Sequence, residues 1–186
     1  MDLLALDLSS SVCGYTIIID NKIEKVSYKK FETKEMLTRG KELINLLYDI
    51  TEQYPQVKTL VIEAHMKSFA GGASSSDAML KTSQMNFLGQ SYLYNFHDYE
   101  VITLNVNHAR NTWQPGFLKL ARAMKGVKHK EIAFNIAKDQ FKELGIELPT
   151  KVISRGKRKG ETVYLDEAGD MTDSYILAMS YLKENS

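Results

Sequence analysis

The stretch Leu4-Ala5-Leu6-Asp7-Leu8-Ser9-Ser10-Ser11-Val12-Cys13-Gly14-Tyr15 decides the fold. It opens by alternation, with Leu4, Leu6 and Leu8 on one face and Ala5 and Asp7 on the other. That period-two pattern predicts a strand over Leu3–Leu8. Three serines then turn the chain, and Gly14–Ile19, rich in β-branched residues, predicts a second strand. Asp20-Asn21 is a hairpin-type dipeptide, and Ile23–Phe31 reads as a third strand. Three strands joined by tight turns make an antiparallel meander. Its first strand carries a carboxylate opposite its leucines.

Outward from there the pattern becomes mixed. Thr33 is placed to cap a helix that runs to about Tyr54 and ends before Pro55. Thr59–Glu63 is a short buried strand through Leu60, Val61 and Ile62. Gly71–Ser76 is a loop-sized Gly/Ser patch, with Ser76 able to cap the next helix. Asp77–Phe96 is a long helix with an apolar stripe of Met79, Leu80, Phe87, Leu88 and Tyr92, read as core or dimer contact. Val101–Leu104 is a fifth strand. Helical patterns come next at Gln114–Met124 and His129–Leu144. Val152–Ser154 and Thr162–Leu165 flank Arg155-Gly156-Lys157-Arg158-Lys159-Gly160, a basic hairpin tip. Asp170–Lys183 closes the chain as a helix. The sum is an α/β sheet with helices around it.

The chain has 186 residues, 44% hydrophobic and 25% charged, which fits one globular domain and excludes disorder and coiled-coil arrays. No run approaches the ~20 apolar residues that span a bilayer, so no membrane partner is expected. The start, Met1-Asp2 and then an apolar strand, lacks the basic segment of a secretory signal. The single cysteine, Cys13, rules out an internal disulfide and a cysteine-based metal cage. A cytoplasmic compartment is expected. The net charge of +1 hides an uneven distribution: 12 Lys/Arg against 4 Asp/Glu between Lys119 and Gly160, in an otherwise acidic chain. Such a stretch suits phosphate-bearing partners, though a solvated helix face is the commoner meaning of any one basic run.

Four acids carry the chemistry. Asp7 lies within the first strand and Glu63 ends the fourth. Asp170 and Asp173, three apart on the last helix, share a face. Asp173 also precedes Leu177 by four residues, which puts it on the inward stripe, where an unpaired carboxylate is costly. Carboxylates from three segments repel unless a cation joins them. Oxygen ligands suit Mg²⁺ or Mn²⁺, and two such ions about 4 Å apart support phosphodiester hydrolysis. Each acid also has a plainer reading. Asp7 bonds the serine turn, Glu63 meets a lysine, and Asp170 caps the last helix with Asp173 as its third-position acid.

The order strand-Asp, turn, strands, strand-Glu, helix, helix-Asp-x-x-Asp resembles the RNase H-like nucleases, and among them the RuvC-type Holliday junction resolvases. The stretch from Leu4 to Tyr15 is similar to the family's opening strand-turn-strand with its aspartate and glycine. Also similar are Val61-Ile62-Glu63-Ala64-His65, the run from Leu80-Lys81-Thr82-Ser83-Gln84 to Leu88-Gly89-Gln90, and Asp170-Met171-Thr172-Asp173-Ser174 with Ile176-Leu177-Ala178 after it. Val127-Lys128-His129-Lys130-Glu131 is similar to a basic helix start in the same family.

The resemblance implies an RNase H-like fold with a five-stranded mixed sheet whose first three strands are antiparallel. It implies a single nuclease domain over 1–186, with a basic hairpin-like insertion at about 149–167 that departs from the common pattern. It further implies a homodimer, since paired incisions need two active sites, and nicking of four-way and other branched DNA with two Mg²⁺ per site, Mn²⁺ substituting. Asp7, Glu63, Asp170 and Asp173 carry over as metal ligands and catalytic acids, and Lys130 as a cation near the scissile phosphate. Lys119, Arg122, Lys125, Lys128, Lys130, Arg155, Lys157, Arg158 and Lys159 are the expected DNA contacts. Met66 and Phe69 are the two candidates for a wedge that opens the junction.

Other readings stay in view. An RNase H-like nuclease acting on RNA needs the same acids. A sugar-kinase or actin-type ATPase also has an aspartate at its first strand, but that fold takes two such domains. A catalytically silent nucleic-acid-binding module would not need all four acids. His108 and Arg110 read as polar caps of a loop after the fifth strand, and Trp113 reads as core packing beside Pro115 and Phe117.

Overall fold

A computed structural model describes residues 1–64 and 76–185. Strand β1 (Leu3–Leu8) pairs antiparallel with β2 (Val12–Ile19), and β2 pairs antiparallel with β3 (Lys22–Lys30). The β2–β3 turn places Asp20 and Asn21 at φ 51° and 61°, the left-handed backbone of a two-residue hairpin, as the dipeptide predicts. Helix α1 (Met36–Gln53) leads to β4 (Thr59–Glu63), which lies parallel to β1. Helix α2 (Ser76–His97) leads to β5 (Glu100–Leu104), parallel to β4. The sheet order is β3-β2-β1-β4-β5. Beyond it come α3 (Val106–Trp113), α4 (Phe117–Ala123), α5 (His129–Glu143), a hairpin of β6 (Thr150–Val152) with β7 (Thr162–Tyr164), and α6 (Glu167–Glu184).

The alternation in β1 sorts the two layers. Leu4, Leu6 and Leu8 join Ile17, Leu60 and Ile62 under α1 and α2, with Leu43, Leu47, Met85 and Leu93. Leu3, Ala5, Ile18 and Val61 face the other way, against Ile176, Leu177 and Ala178 of α6 and residues of α3 to α5. Asp7 and Glu63 have the parity of Ala5 and Val61, so both acids point to the α6 layer. They come directly after Leu6 and Ile62, the last residues paired between β1 and β4.

Several expectations are corrected. Thr33 does not cap α1: Glu35 takes that position and Thr33 Oγ1 instead accepts from the Glu35 N–H. The α2 stripe, read as core or dimer contact, is not all core. Leu80 and Phe87 are 58% and 72% exposed, and the buried residues are Met85, Asn86, Gly89 and Leu93. Gly89 is the reason, because its missing side chain lets α2 approach Leu8, Leu43 and Leu47. The helix expected at Gln114–Met124 begins only at Phe117, after Pro115-Gly116. The residues read as a loop before it form α3, capped by the Asn105 side chain accepting from the N–H groups of Asn107 and His108. The last helix starts at Glu167, which places Asp170 inside its first turn with Asp166 at the cap position. Trp113 is core as expected, with its Nε1–H donating to Gln140 Oε1.

Candidate active site

Strands β1 and β4 hold two of the acids, and α6 brings the other two to them. Helix α6 lies on β1 and β2 because Gly14 leaves room for its backbone: a Cβ on Gly14 would meet the Asp170 carbonyl oxygen at 2.1 Å. A buried contact between Thr16 Oγ1 and Ser174 Oγ at 3.0 Å continues the seam. At the edge, Lys30 on β3 reaches buried Glu167 at 2.6 Å. Gly14 is also the register partner of Asp7. The approach that seats α6 therefore delivers Asp170 and Asp173 towards Asp7.

The electrostatics reflect this gathering. Burial pushes the Asp7 carboxyl well above the usual carboxylate range. Asp173, Asp170 and Glu63 push it further, and Lys130 pulls it back. Burial also raises Glu63, with Asp173 adding to the shift while Arg110 and Lys130 oppose it. Asp170 is raised by burial against the pull of Lys130. Burial acts to lower Lys130, but Asp173, Asp7 and Asp170 outweigh it and hold the ammonium well above its ordinary value. Neighbouring acids that hinder one another's ionisation have stored electrostatic work, which a cation releases.

Two protein cations already meet part of that demand. Lys130, in the first turn of α5, places Nζ 2.8 Å from Asp170 Oδ1 and 3.3 Å from Asp173 Oδ2. Arg110 donates from Nη2 to Asp173 Oδ1 at 2.8 Å, with both side chains only 9% exposed. Both Asp173 oxygens are thus engaged. Among the described residues no three acid, histidine or cysteine side chains stand as a ready-made ion cage. The donor chemistry nevertheless fits a hard divalent cation: carboxylates from β1, β4 and α6 act electrostatically on one another, and carboxylate oxygens suit such an ion.

Arg110 is the residue that sequence reasoning misses. Its segment reads as a loop cap, yet the residue is buried in α3 and paired with Asp173. The available signal is Asn105, a good N-cap type, which turns the residues after it into a helix and points Arg110 inward. His108 lies on the exposed side of that helix and pairs with Glu184 at 2.6 Å. Of the other expected contacts, Lys119 and Arg122 are exposed on α4 and Lys125 just after it. Lys128 is exposed at the start of α5, and Arg155, Lys157, Arg158 and Lys159 are exposed on the β6–β7 tip. Arg158 also pairs with Glu161 at 2.7 Å. Met66 and Phe69 lie outside the described residues. No helix among the described residues is long and apolar enough to cross a membrane.

No protein-family model matches the chain, and no curated protein matches its sequence. Solved structures do match. Thermus thermophilus RuvC in complex with a Holliday junction substrate superposes with a TM-score of 0.62 at 8% identity, over 98% of this chain and 94% of that one. A second Thermus thermophilus RuvC structure gives 0.61 at 9% identity, over 100% and 95%. The yeast mitochondrial Holliday junction resolvase Ydc2 gives 0.59 at 14% identity, over 97% and 77%. The architecture is therefore that of the RuvC-type resolvases, an RNase H-like fold.

Proposed function

We propose that this chain, built on the RuvC-type fold, is a divalent-metal-dependent endonuclease that nicks four-way and other branched DNA. The observation that carries the reading is that Asp7, Glu63 and Asp170 lie within electrostatic reach of Asp173, and that burial together with these neighbouring acids raises the carboxyls of Asp7, Glu63 and Asp170. These four residues would hold Mg²⁺, two ions per site, with Mn²⁺ able to replace it. When bound, the ions supply activation of the attacking water and charge neutralisation at the leaving oxygen. The chain's own groups do the rest. Arg110 holds Asp173 in place from inside through their buried ion pair. Lys130 lies at the solvent-facing edge of the cluster, where its ammonium can hold a phosphate oxygen once the acids have another counter-ion. The exposed basic residues of α4, α5 and the hairpin tip give non-specific grip on the DNA backbone.

The same reading includes a homodimer acting in a reducing cell interior. Leu80, Phe87 and Tyr94 are exposed at seven-residue spacing on α2, one stripe on the helix face turned away from the core. A second copy covers this stripe in the proposal. Phe87→Glu should then shift the protein to monomer in sedimentation.

The deciding experiment offers labelled four-way junction, fork, duplex and RNA–DNA hybrid to the protein, with and without Mg²⁺. Nicking of the branched DNA that requires Mg²⁺, and that Asp7→Asn and Asp173→Asn both abolish while junction binding persists, supports the proposal. Preferential cleavage of the hybrid would favour an RNA substrate. Full cleavage by either variant would remove the role of the acids.

A further inference from the structure

An open cleft of ≈ 300 Å³ lies beside Lys130, between the start of α5 and β7, and the hydrolysis proposed for the acids does not use it. Phe134 and Tyr164 form one wall, edge to face, with ring centroids 5.1 Å apart and planes at 70°. Phe134 is partly covered, whereas Tyr164, which also lines the cleft, is 50% exposed. Lys128 and Lys130 lie on the α5 side and Gly169 on the α6 side.

The cleft is tied to the acids by covalent geometry. Tyr164 precedes Asp170 by six residues, and β7 runs through Leu165 and Asp166 straight into α6. The Leu165 N–H donates to Pro149 O at 2.9 Å, closing the base of the hairpin. Lys130 belongs to both places, lining the cleft and bonding Asp170. Gly169 permits this double role, since a Cβ there would meet Lys130 Cε at 2.6 Å.

The lining also selects the ligand. Glu131 and Asp166 also line the cleft, and their charges disfavour a phosphate lodged inside. An exposed aromatic ring flanked by lysines suits a base in the cleft with its backbone passing over the cations, because every base offers a π-face.

We propose that this cleft, on the reading of the protein as a nuclease, takes one unstacked nucleobase of the strand whose phosphate lies at the acids, stacked on Tyr164. The β6–β7 hairpin then positions substrate as well as adding charge.

A chemical double-mutant cycle tests this. Four-way junctions are made with a single abasic site at each position flanking the nick, and single-turnover nicking is measured with the parent and with Tyr164→Ala. At one position, base removal should slow the parent about tenfold and leave Tyr164→Ala no slower than on the intact junction. Tyr164→Phe, which keeps the ring, should restore the coupling. Melting temperatures equal to the parent's would show that the hairpin is not simply unfolded. If the two losses multiply at every position, or Tyr164→Ala nicks at the parent rate, the cleft is not a base site although the nuclease reading stands. A parent that nicks no branched DNA overturns both.

Discussion

The carbonyl oxygen of Asp170 lies 2.1 Å from where a Cβ on Gly14 would stand, so at this point the α6 backbone rests directly on the backbone of β2. That contact is as much part of the site as the acids are. It sets how deep the last helix sits and hence whether its two carboxylates reach the one on β1.

Gly14→Ala therefore separates packing from chemistry. The added methyl meets backbone, which has no rotamer to turn away, so α6 must lift. We expect a loss of at least about 2 kcal/mol in stability, in line with overpacking of a tight interior, together with loss of Mg²⁺-dependent nicking. Denaturant unfolding and a nicking assay check it. A variant with parental stability and parental nicking would contradict the role given to this contact.

Arg110→Met removes the cation that reaches Asp173 from inside. Breaking a buried pair costs about 3–5 kcal/mol, and the low end applies because Lys130 still touches Asp173. A divalent ion can make up part of that loss. Thermal melts should show a larger gain on adding Mg²⁺ for the variant than for the parent, and equal gains would contradict the assignment.

Proton and metal should compete. The carboxyls of Asp7, Glu63 and Asp170 are raised in the folded protein. Their protonated forms are favoured by folding, so this contribution to stability is present at low pH and lost as pH rises from the unfolded carboxylate values through the raised folded ones. Glu167, lowered by its bond to Lys30, acts in the opposite sense but stands alone against three. Without metal, melting should worsen across that window. The gain from Mg²⁺ should be small near about pH 5 and larger near about pH 8. A gain independent of pH would contradict the account.

Neutralising Lys157, Arg158 and Lys159 together should weaken junction binding and flatten its salt dependence. Arg158 is already paired with Glu161, so the slope of log affinity against log salt should fall by about 2 and not the full ~3. An unchanged slope would remove the tip from the DNA-contacting surface.

How far the sequence is legible depends on what each feature requires. Asp7 and Glu63 are legible because strand parity is strict: Leu4, Leu6 and Leu8 fill one layer, so Asp7 must face the other. Asp173 is legible because its spacing to Leu177 puts it on the buried stripe. The face of α2 is misleading in sequence because side-chain size there does not track burial. The inward residues include Gly89 and Asn86, whose Nδ2 donates to Leu8 O at 3.4 Å, while Phe87 points outward. Arg110 is hidden because a polar segment after a strand reads as loop unless its cap is weighed. The cleft at Tyr164 is not legible at all, since it arises only where the hairpin folds back on Phe134, thirty residues earlier in the chain.

The most direct test is to soak crystals of the protein in Mn²⁺ and locate the ions by anomalous diffraction. The account predicts a peak in contact with Asp7 and at least one of Asp170 and Asp173, with Lys130 drawn away from the acids, and no such peak in Asp7→Asn crystals. An empty acidic cluster in the parent protein, with Lys130 still bound to Asp170, would contradict it.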